Sequence, residues 1–342
     1  MNRDGLGRYW FLAGLIVLIP IGLLLPEFGV SIKQNKWAVP VCVGAMLGIA
    51  GFTMDTSMLV KQSINIRAIA PVIFCTYVFS PAVAYVLARL LAPEGDEHFV
   101  TAMMIMAAQA SSLASAIALT MMAGGNRELA LVCTLISNST TVVLTPYILR
   151  VSVDANVEFQ VYEMISKMVL VVLLPVLIGQ ILRKFIWKKV EFIMPAIKLI
   201  PQIIILLFVY TGFASGAGQL MTDGSLVVRF STACILLHLV LLGFTLLISN
   251  MLKLGWPEKT AVIFCGSQKT LPNGIYIWNN FFQSNPYGAV PLVLYHLFQL
   301  VMAILLVPKF EKFNGGDDND EVLGHSAPAG CLGTVEGKQL RS

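Results

Sequence analysis

Residues 261–275 read Ala261-Val-Ile-Phe-Cys-Gly-Ser-Gln-Lys-Thr-Leu-Pro-Asn-Gly-Ile275. The stretch opens as an apolar segment and is interrupted by Gly266, Gln268, Lys269, Thr270, Pro272, Asn273 and Gly274. It turns apolar again at once with Ile275-Tyr276-Ile277-Trp278. A helix inside a bilayer has no water for its backbone, so a break at that depth survives only where protein or a wet cavity supplies partners. Lys269 lies near the middle of the segment, where a charged side chain costs roughly 2.5–3.5 kcal/mol on insertion scales. Such a residue needs a partner or a purpose. Broken helices with polar residues at mid-membrane are the means by which secondary transporters build sites for solutes and ions. The bland alternative for Lys269 is snorkelling, with its stem in apolar surroundings and its head at an interface.

The rest of the chain fits a membrane setting. Of its 342 residues, 57% are hydrophobic and 12% are charged, against about 25% charged in soluble domains. Mean hydropathy is +0.78. A spanning helix needs about 20 largely apolar residues, and ten candidate spans follow: roughly 9–25, 37–54, 68–91, 99–123, 129–149, 164–182, 194–213, 227–250, 260–282 and 288–307. From about Asn314 the composition shifts to Gly, Asp, Ser and Ala, too poor in apolar residues to fold alone. The expected layout is a transmembrane domain over 1–312 and a disordered cytoplasmic tail over 313–342.

Five of the six cysteines (Cys42, Cys75, Cys133, Cys234, Cys265) sit singly in apolar segments, where the residue packs as a small hydrophobe. With no C-x-x-C pair and four scattered histidines, no metal framework, disulfide framework or nucleophile–base arrangement can be read. Catalysis is not expected, and nothing points to nucleic acid.

Lys and Arg near span ends set orientation. One side collects Arg3, Arg8, Lys61, Arg67, Arg127, Arg183, Lys184, Lys188, Lys189, Lys253, Lys259, Lys309 and Lys312, and the other only Lys33, Lys36, Arg89, Arg150 and Arg229. The bias predicts that both termini are cytoplasmic, which requires an even number of spans; a plasma membrane is the expected location. Leu18-Ile19-Pro20 and Leu173-Leu174-Pro175 are separated by nearly the same length of chain as Leu144-Thr145-Pro146 and Leu306-Val307-Pro308. That suggests two five-span repeats, about 9–150 and 160–312. With an odd number of spans in each, the second copy is inverted, as in many transporters.

The repeat pairs span nine with span four, which reads Ala107-Ala-Gln-Ala-Ser-Ser-Leu-Ala-Ser-Ala116 and is followed by Gly124-Gly125. Both halves then carry one irregular segment at the corresponding place. Three groups of polar residues are candidates for binding a substrate or an ion. The first joins Gln109, Ser111, Ser112 and Ser115 with Thr134, Ser137, Asn138 and Ser139, whose hydroxyl and amide oxygens are hard neutral ligands. Read singly, each Ser or Thr serves equally to bond its own helix and allow close packing. The second group is Gln268, Lys269, Thr270 and Asn273. The third is Tyr295, His296 and Gln299, with His296 and Gln299, and Tyr295 and Gln299, on one helical face.

These residues resemble the bile acid:sodium symporter family (solute carrier family 10), and within it the branch of vertebrate member 7 and its bacterial relatives. Four stretches carry the likeness: Ala123-Gly-Gly-Asn126 on to Leu144-Thr-Pro146, Leu174-Pro-Val-Leu-Ile-Gly-Gln180, Phe264-Cys-Gly-Ser-Gln-Lys-Thr-Leu271, and Val290-Pro-Leu-Val-Leu-Tyr-His296 with Gln299. The resemblance covers about residues 9–312. It implies an all-α polytopic membrane protein of ten transmembrane helices in two inverted five-helix repeats, with helices 4 and 9 discontinuous where they cross. It also implies alternating access, a small organic anion as substrate, and no cofactor besides a coupling sodium ion. By motif, Ser115, Thr134 and Gln268 are the residues such an ion would use. The sequence departs from that pattern in having no Asp or Glu between Glu258 and the end of span nine, where Lys269 stands instead. Sodium and a proton therefore remain alternatives for coupling. So does a second reading implied by the member-7 branch, a membrane regulatory protein of the same fold in cellular calcium homeostasis. The sequence leaves oligomeric state open.

Overall fold

Where the sequence is apolar the chain is helical, and the described residues contain no strand. The computed structural model describes residues 13–14, 17–35, 37–53, 65–153, 160–197 and 199–324. The start of the first span, the cations Arg3, Arg8, Lys36 and Lys61, and the tail beyond Gly324 lie outside the described residues.

In chain order the helices are α1 (17–24), α2 (Pro26–Gln34), α3 (Ala38–Thr53) and α4 (Ile66–Leu91). Next come α5 (Glu97–Ala107), α6 (Leu113–Met122) and α7 (Arg127–Ser152). Helix α8 runs through Val161–Met168, a π turn at Val169–Leu173 and Leu174–Val190. The chain ends with α9 (Leu199–Thr222), α10 (Gly224–Met251), α11 (Trp256–Ser267), α12 (Leu271–Phe281) and α13 (Val290–Gly324).

Among the described residues, four helical stretches are long and apolar enough to cross a bilayer: Ile66–Leu91, Arg127–Ser152, Val161–Gly218 and Gly224–Met251. Val290–Ala303 and Leu305–Asn314, bent by 43°, make a fifth if they count as one span. Spans four and nine fail that length test because each is broken in two, α5 with α6 and α11 with α12.

Start signals differ between surface and interior. Asp96, Asn126 and Asp223 cap α5, α7 and α10, accepting from Phe99, Leu129 and Ser225 N–H. Such caps satisfy N–H groups that the helix itself leaves orphaned. Helices α6 and α12 begin inside the bundle with no side-chain cap on either Ser112 or Thr270.

Two groups of helices pack together. In one, α1 and α2 lie on α9, and α3 lies on α8. The α3–α8 contact is made by glycine: a Cβ on Gly179 would stand 2.1 Å from the Gly48 carbonyl oxygen, and one on Gly51 would stand 2.3 Å from that of Val176. Small residues allow this backbone approach, which drives helix association where lipid removes any hydrophobic advantage. The second group comprises α4–α7 and α10–α13. The groups meet where α7 packs on α8, and where α12 and the start of α13 pack on α3 and α9, with Gly212 against Ala289 and Val293.

The last helix corrects one expectation. It continues to Gly324, into the segment whose composition predicted no fold. Asn314 is buried, and its amide donates to Ala123 O at the end of α6 and to Thr260 Oγ1 (3.1 Å) in α11. Phe313 stacks on Trp256 at 4.5 Å. Residues 313 and 314 thus belong to the packed bundle. Truncation after Asn314 is expected to leave the thermal midpoint of the purified protein within error of the full chain. Asn314→Ala should lower stability by about 1–2 kcal/mol through the stranded Ala123 carbonyl. Equal stability of Asn314→Ala and the parent would rule out this pinning role.

Candidate functional site

The two breaks touch each other. After α5 the chain turns at Ala108 and stays non-helical to Ser112, and after α11 it is non-helical over Gln268–Thr270. The Thr270 N–H donates to Ala110 O at 2.9 Å, joining them directly. The interruption in span nine is therefore shorter than the sequence suggests. Pro272, Asn273 and Gly274 already lie in α12, and Pro272, near its start, gives up an N–H that the first turn cannot use anyway.

Buried backbone must be accounted for group by group, and here side chains do most of the work. Ser80 Oγ donates to Ala107 O (3.2 Å) and Thr145 Oγ1 to Ala108 O (2.6 Å). Asn138 Nδ2 donates to Ser111 O (2.9 Å), and Ser111 N–H donates to Ser137 Oγ (3.0 Å). On the other break, Cys75 Sγ donates to Gly266 O (3.4 Å) and Tyr295 OH to Ser267 O (2.6 Å). Gln299 holds one residue by both ends: its Oε1 accepts from Lys269 N–H (2.8 Å) and its Nε2 donates to Lys269 O (3.1 Å). The second proton on Gln299 Nε2 goes to His296 Nδ1 (2.9 Å). Tyr295 OH also meets His238 Nδ1 at 3.1 Å, which draws into the site a histidine that the sequence left scattered.

Lys269 is 2% exposed. It does not snorkel. Its Nζ donates to Thr76 O (3.0 Å) and Gln109 O (3.1 Å), away from the surface. The Thr76 carbonyl is free for a local reason. In the π turn Cys75–Phe79 each carbonyl bonds five residues ahead, as Cys75 O does with Ser80 N–H. The corresponding partner of Thr76 is Pro81, which has no N–H. Thr76 and Pro81 were absent from the sequence candidates. The available signal was a Ser-Pro pair one turn after a threonine in an otherwise apolar span.

Many of the expected binding residues turn out to be committed to the scaffold. Gln109 bonds Ile105 O through Nε2 and Asn273 Nδ2 through Oε1 (2.7 Å). Asn138, Ser137, Tyr295 and Gln299 hold backbone as described. The Thr134 hydroxyl donates to the Ala130 and Leu131 carbonyls of its own helix rather than to Ser115 or Gln268. Ser115 and Gln268 do come together: the Ser115 hydroxyl donates to Gln268 Oε1 and lies 2.7 Å from Ser112 Oγ.

Five buried polar atoms remain unpartnered among the described residues: Thr76 Oγ1, Ser111 Oγ, Asn273 Oδ1, His296 Nε2 and Asn314 Oδ1. Three of them lie at the crossing: Ser111 in the first break, Asn273 in the first turn of α12, and Thr76, whose carbonyl holds Lys269.

Two helix N-termini, those of α6 and α12, converge on this place with uncapped first-turn N–H groups. A helix start carries roughly half a positive charge and is a ready site for an anion. Exposure rises along one stripe of α6: Ser115 is half-buried, Ala118 is exposed, and Met121 and Met122 are 53% and 37% exposed. By contrast all of α5 from Phe99 to Ala107 is buried. On the opposite end of the bundle the two helix groups close on a seam that includes Val39, Cys42, Phe208, Thr211, Trp278 and Asn279, with no charged side chain.

Comparison with known proteins places the chain in a family. A profile of the SBF-like CPA transporter family matches residues 9–312. An uncharacterized protein of Pseudomonas aeruginosa is 25% identical over 308 residues, 88% of this chain and 92% of its own. Sodium/bile acid cotransporter 7 of Mus musculus is 24% identical over 317 residues, covering 90% and 93%. Its namesake in Danio rerio is 23% identical over 320 residues, covering 90% and 95%.

Proposed function

The chain belongs to the SBF-like CPA transporter family, and from that premise we propose that it is a secondary transporter moving a small organic anion by alternating access. The observation that carries the proposal is the crossing of two broken helices. Its two uncapped N-termini, on α6 and α12, offer positive dipole ends to an anion, and Ser112, Ser115, Gln268 and Thr270 offer neutral polar groups beside them. The ten predicted spans, each coinciding with a helix or a broken pair, support ten membrane passages in two inverted repeats. In this reading α1–α3, α8 and α9 move as one body against the rest. The end at which Asp96, Asp223 and Tyr287 gather is closed, and the cation-rich end is open along the exposed stripe of α6. The cation bias supports cytoplasmic termini, and a plasma membrane is the proposed location.

Uptake of labelled organic anions into proteoliposomes containing the purified protein tests this. Accumulation of at least one anion is expected, and Ser115→Trp, which fills the approach to the site, should reduce it at least about tenfold. That factor needs only about 1.4 kcal/mol of lost interaction. A folded protein that takes up no anion would overturn the transport reading in favour of a regulatory membrane protein of the same fold.

A further inference from the structure

The surroundings of the Lys269 ammonium have the composition of a cation site. Its two bonded partners are carbonyl oxygens from different elements, Thr76 O of α4 and Gln109 O of the first break. Thr76 also carries a buried hydroxyl without a partner, and Asn273, whose amide is bonded to Gln109, carries a buried carbonyl oxygen without one. These are hard, neutral oxygens of the kind that replace the hydration shell of a small cation. An ammonium has three N–H donors, and two are used here.

Helices α5 and α11 end at the crossing with roughly half a negative charge each, which offsets the positive starts of α6 and α12 there. No carboxylate answers Lys269 among the described residues. The buried titratable side chains on the elements around it include Cys75 and Tyr77 on α4, His238 on α10, Cys265 on α11, Tyr276 on α12, and Tyr295 and His296 on α13, and none of these is a carboxyl. An ammonium held only by carbonyls is neither a surface anchor nor half of an ion pair.

We infer that Lys269 is the tethered occupant of a monovalent-cation site, its ammonium standing where the oxygens of Thr76, Gln109 and Asn273 would otherwise desolvate a free ion. The crossing then assembles without bound sodium. The consequence for transport, that it runs without sodium, rests on the function proposed above; the site itself does not.

The test needs no substrate. Thermal unfolding of the purified full-length protein is followed in sodium, potassium and choline chloride at equal ionic strength, for the parent, Lys269→Ala and Lys269→Met. A ligand that binds only the folded state raises the midpoint by mass action. The parent should unfold at one temperature in all three salts. Lys269→Ala should be less stable in choline and regain most of the loss, saturably, in sodium or when ethylammonium is added. Lys269→Met, which fills the space without charge, should be destabilised and regain nothing. Saturable stabilisation of the parent by sodium would overturn the inference, because it would reveal a vacant cation site. So would Lys269→Met as stable as the parent, or Lys269→Ala indifferent to both cations. If Lys269→Ala yields no folded protein, the parent titration and Lys269→Met decide. Anion uptake combined with sodium stabilisation of the parent would sink this inference alone; absent uptake with cation rescue of Lys269→Ala would sink the transport reading alone.

Discussion

Gln299→Leu should destabilise the protein by about 2–5 kcal/mol and abolish anion uptake. The side chains are similar in volume, so little of the loss can come from a cavity. What goes is a set of three hydrogen bonds: Lys269 N–H to Oε1, Nε2 to Lys269 O, and Nε2 to His296 Nδ1. Interhelical hydrogen bonds in membranes are worth roughly 0.6–2 kcal/mol each, which sets the range. Its upper half is the better expectation, because two of the stranded groups are backbone in an unwound, buried segment with no helical alternative. Gln299→Glu separates the terms. A carboxylate still accepts from Lys269 N–H but cannot donate to Lys269 O or His296, so at neutral pH it should restore part of the stability and little of the uptake. Thermal unfolding and uptake on the same preparations check both variants. A leucine variant that matches the parent in stability would remove Gln299 from the role of staple.

That role explains what the sequence could and could not tell. The breaks were legible because polar residues and glycine at mid-membrane contradict the apolar run around them. Gly124, with φ of +70°, stops α6 where the Gly-Gly pair suggested. Composition also brought forward polar residues that the structure gathers at the crossing, among them Gln109, Lys269 and Gln299. It could not assign their duties, since an amide that binds a solute and one that binds a backbone carbonyl are written with the same letters. Gln109, Asn138 and Gln299 read as ligands, and in the structure their side chains bond backbone groups of the bundle. The direction of Lys269 was equally hidden, because it depends on a carbonyl freed by Pro81 nearly two hundred residues earlier. Asn314 was misplaced for a related reason: one buried amide at the end of a helix has no compositional weight against the Gly and Asp that follow it.

The second large effect concerns the α3–α8 pair, where backbone geometry makes a graded prediction from four glycines. Gly179→Ala places a methyl 2.1 Å from Gly48 O and 2.7 Å from Phe52 N, and Gly51→Ala places one 2.3 Å from Val176 O. These neighbours are backbone and cannot rotate away, so the helices must separate. Overpacking of this kind costs about 1–3 kcal/mol and sometimes more, and it also weakens the bonds from Gln180 to Gly51 O and from Arg183 to Phe52 O. Gly44→Ala and Gly48→Ala lie on the same face of α3 but meet Pro175 at ordinary contact distances of 3.6 and 3.5 Å. They should be neutral, or gain up to about 1 kcal/mol from the better helix former. If all four substitutions cost the same, the loss is one of glycine flexibility and the close approach is not what holds the pair. If only Gly179→Ala and Gly51→Ala are destabilised, and uptake falls with them, α3 and α8 must move as a single body for the crossing to open first to one side and then to the other.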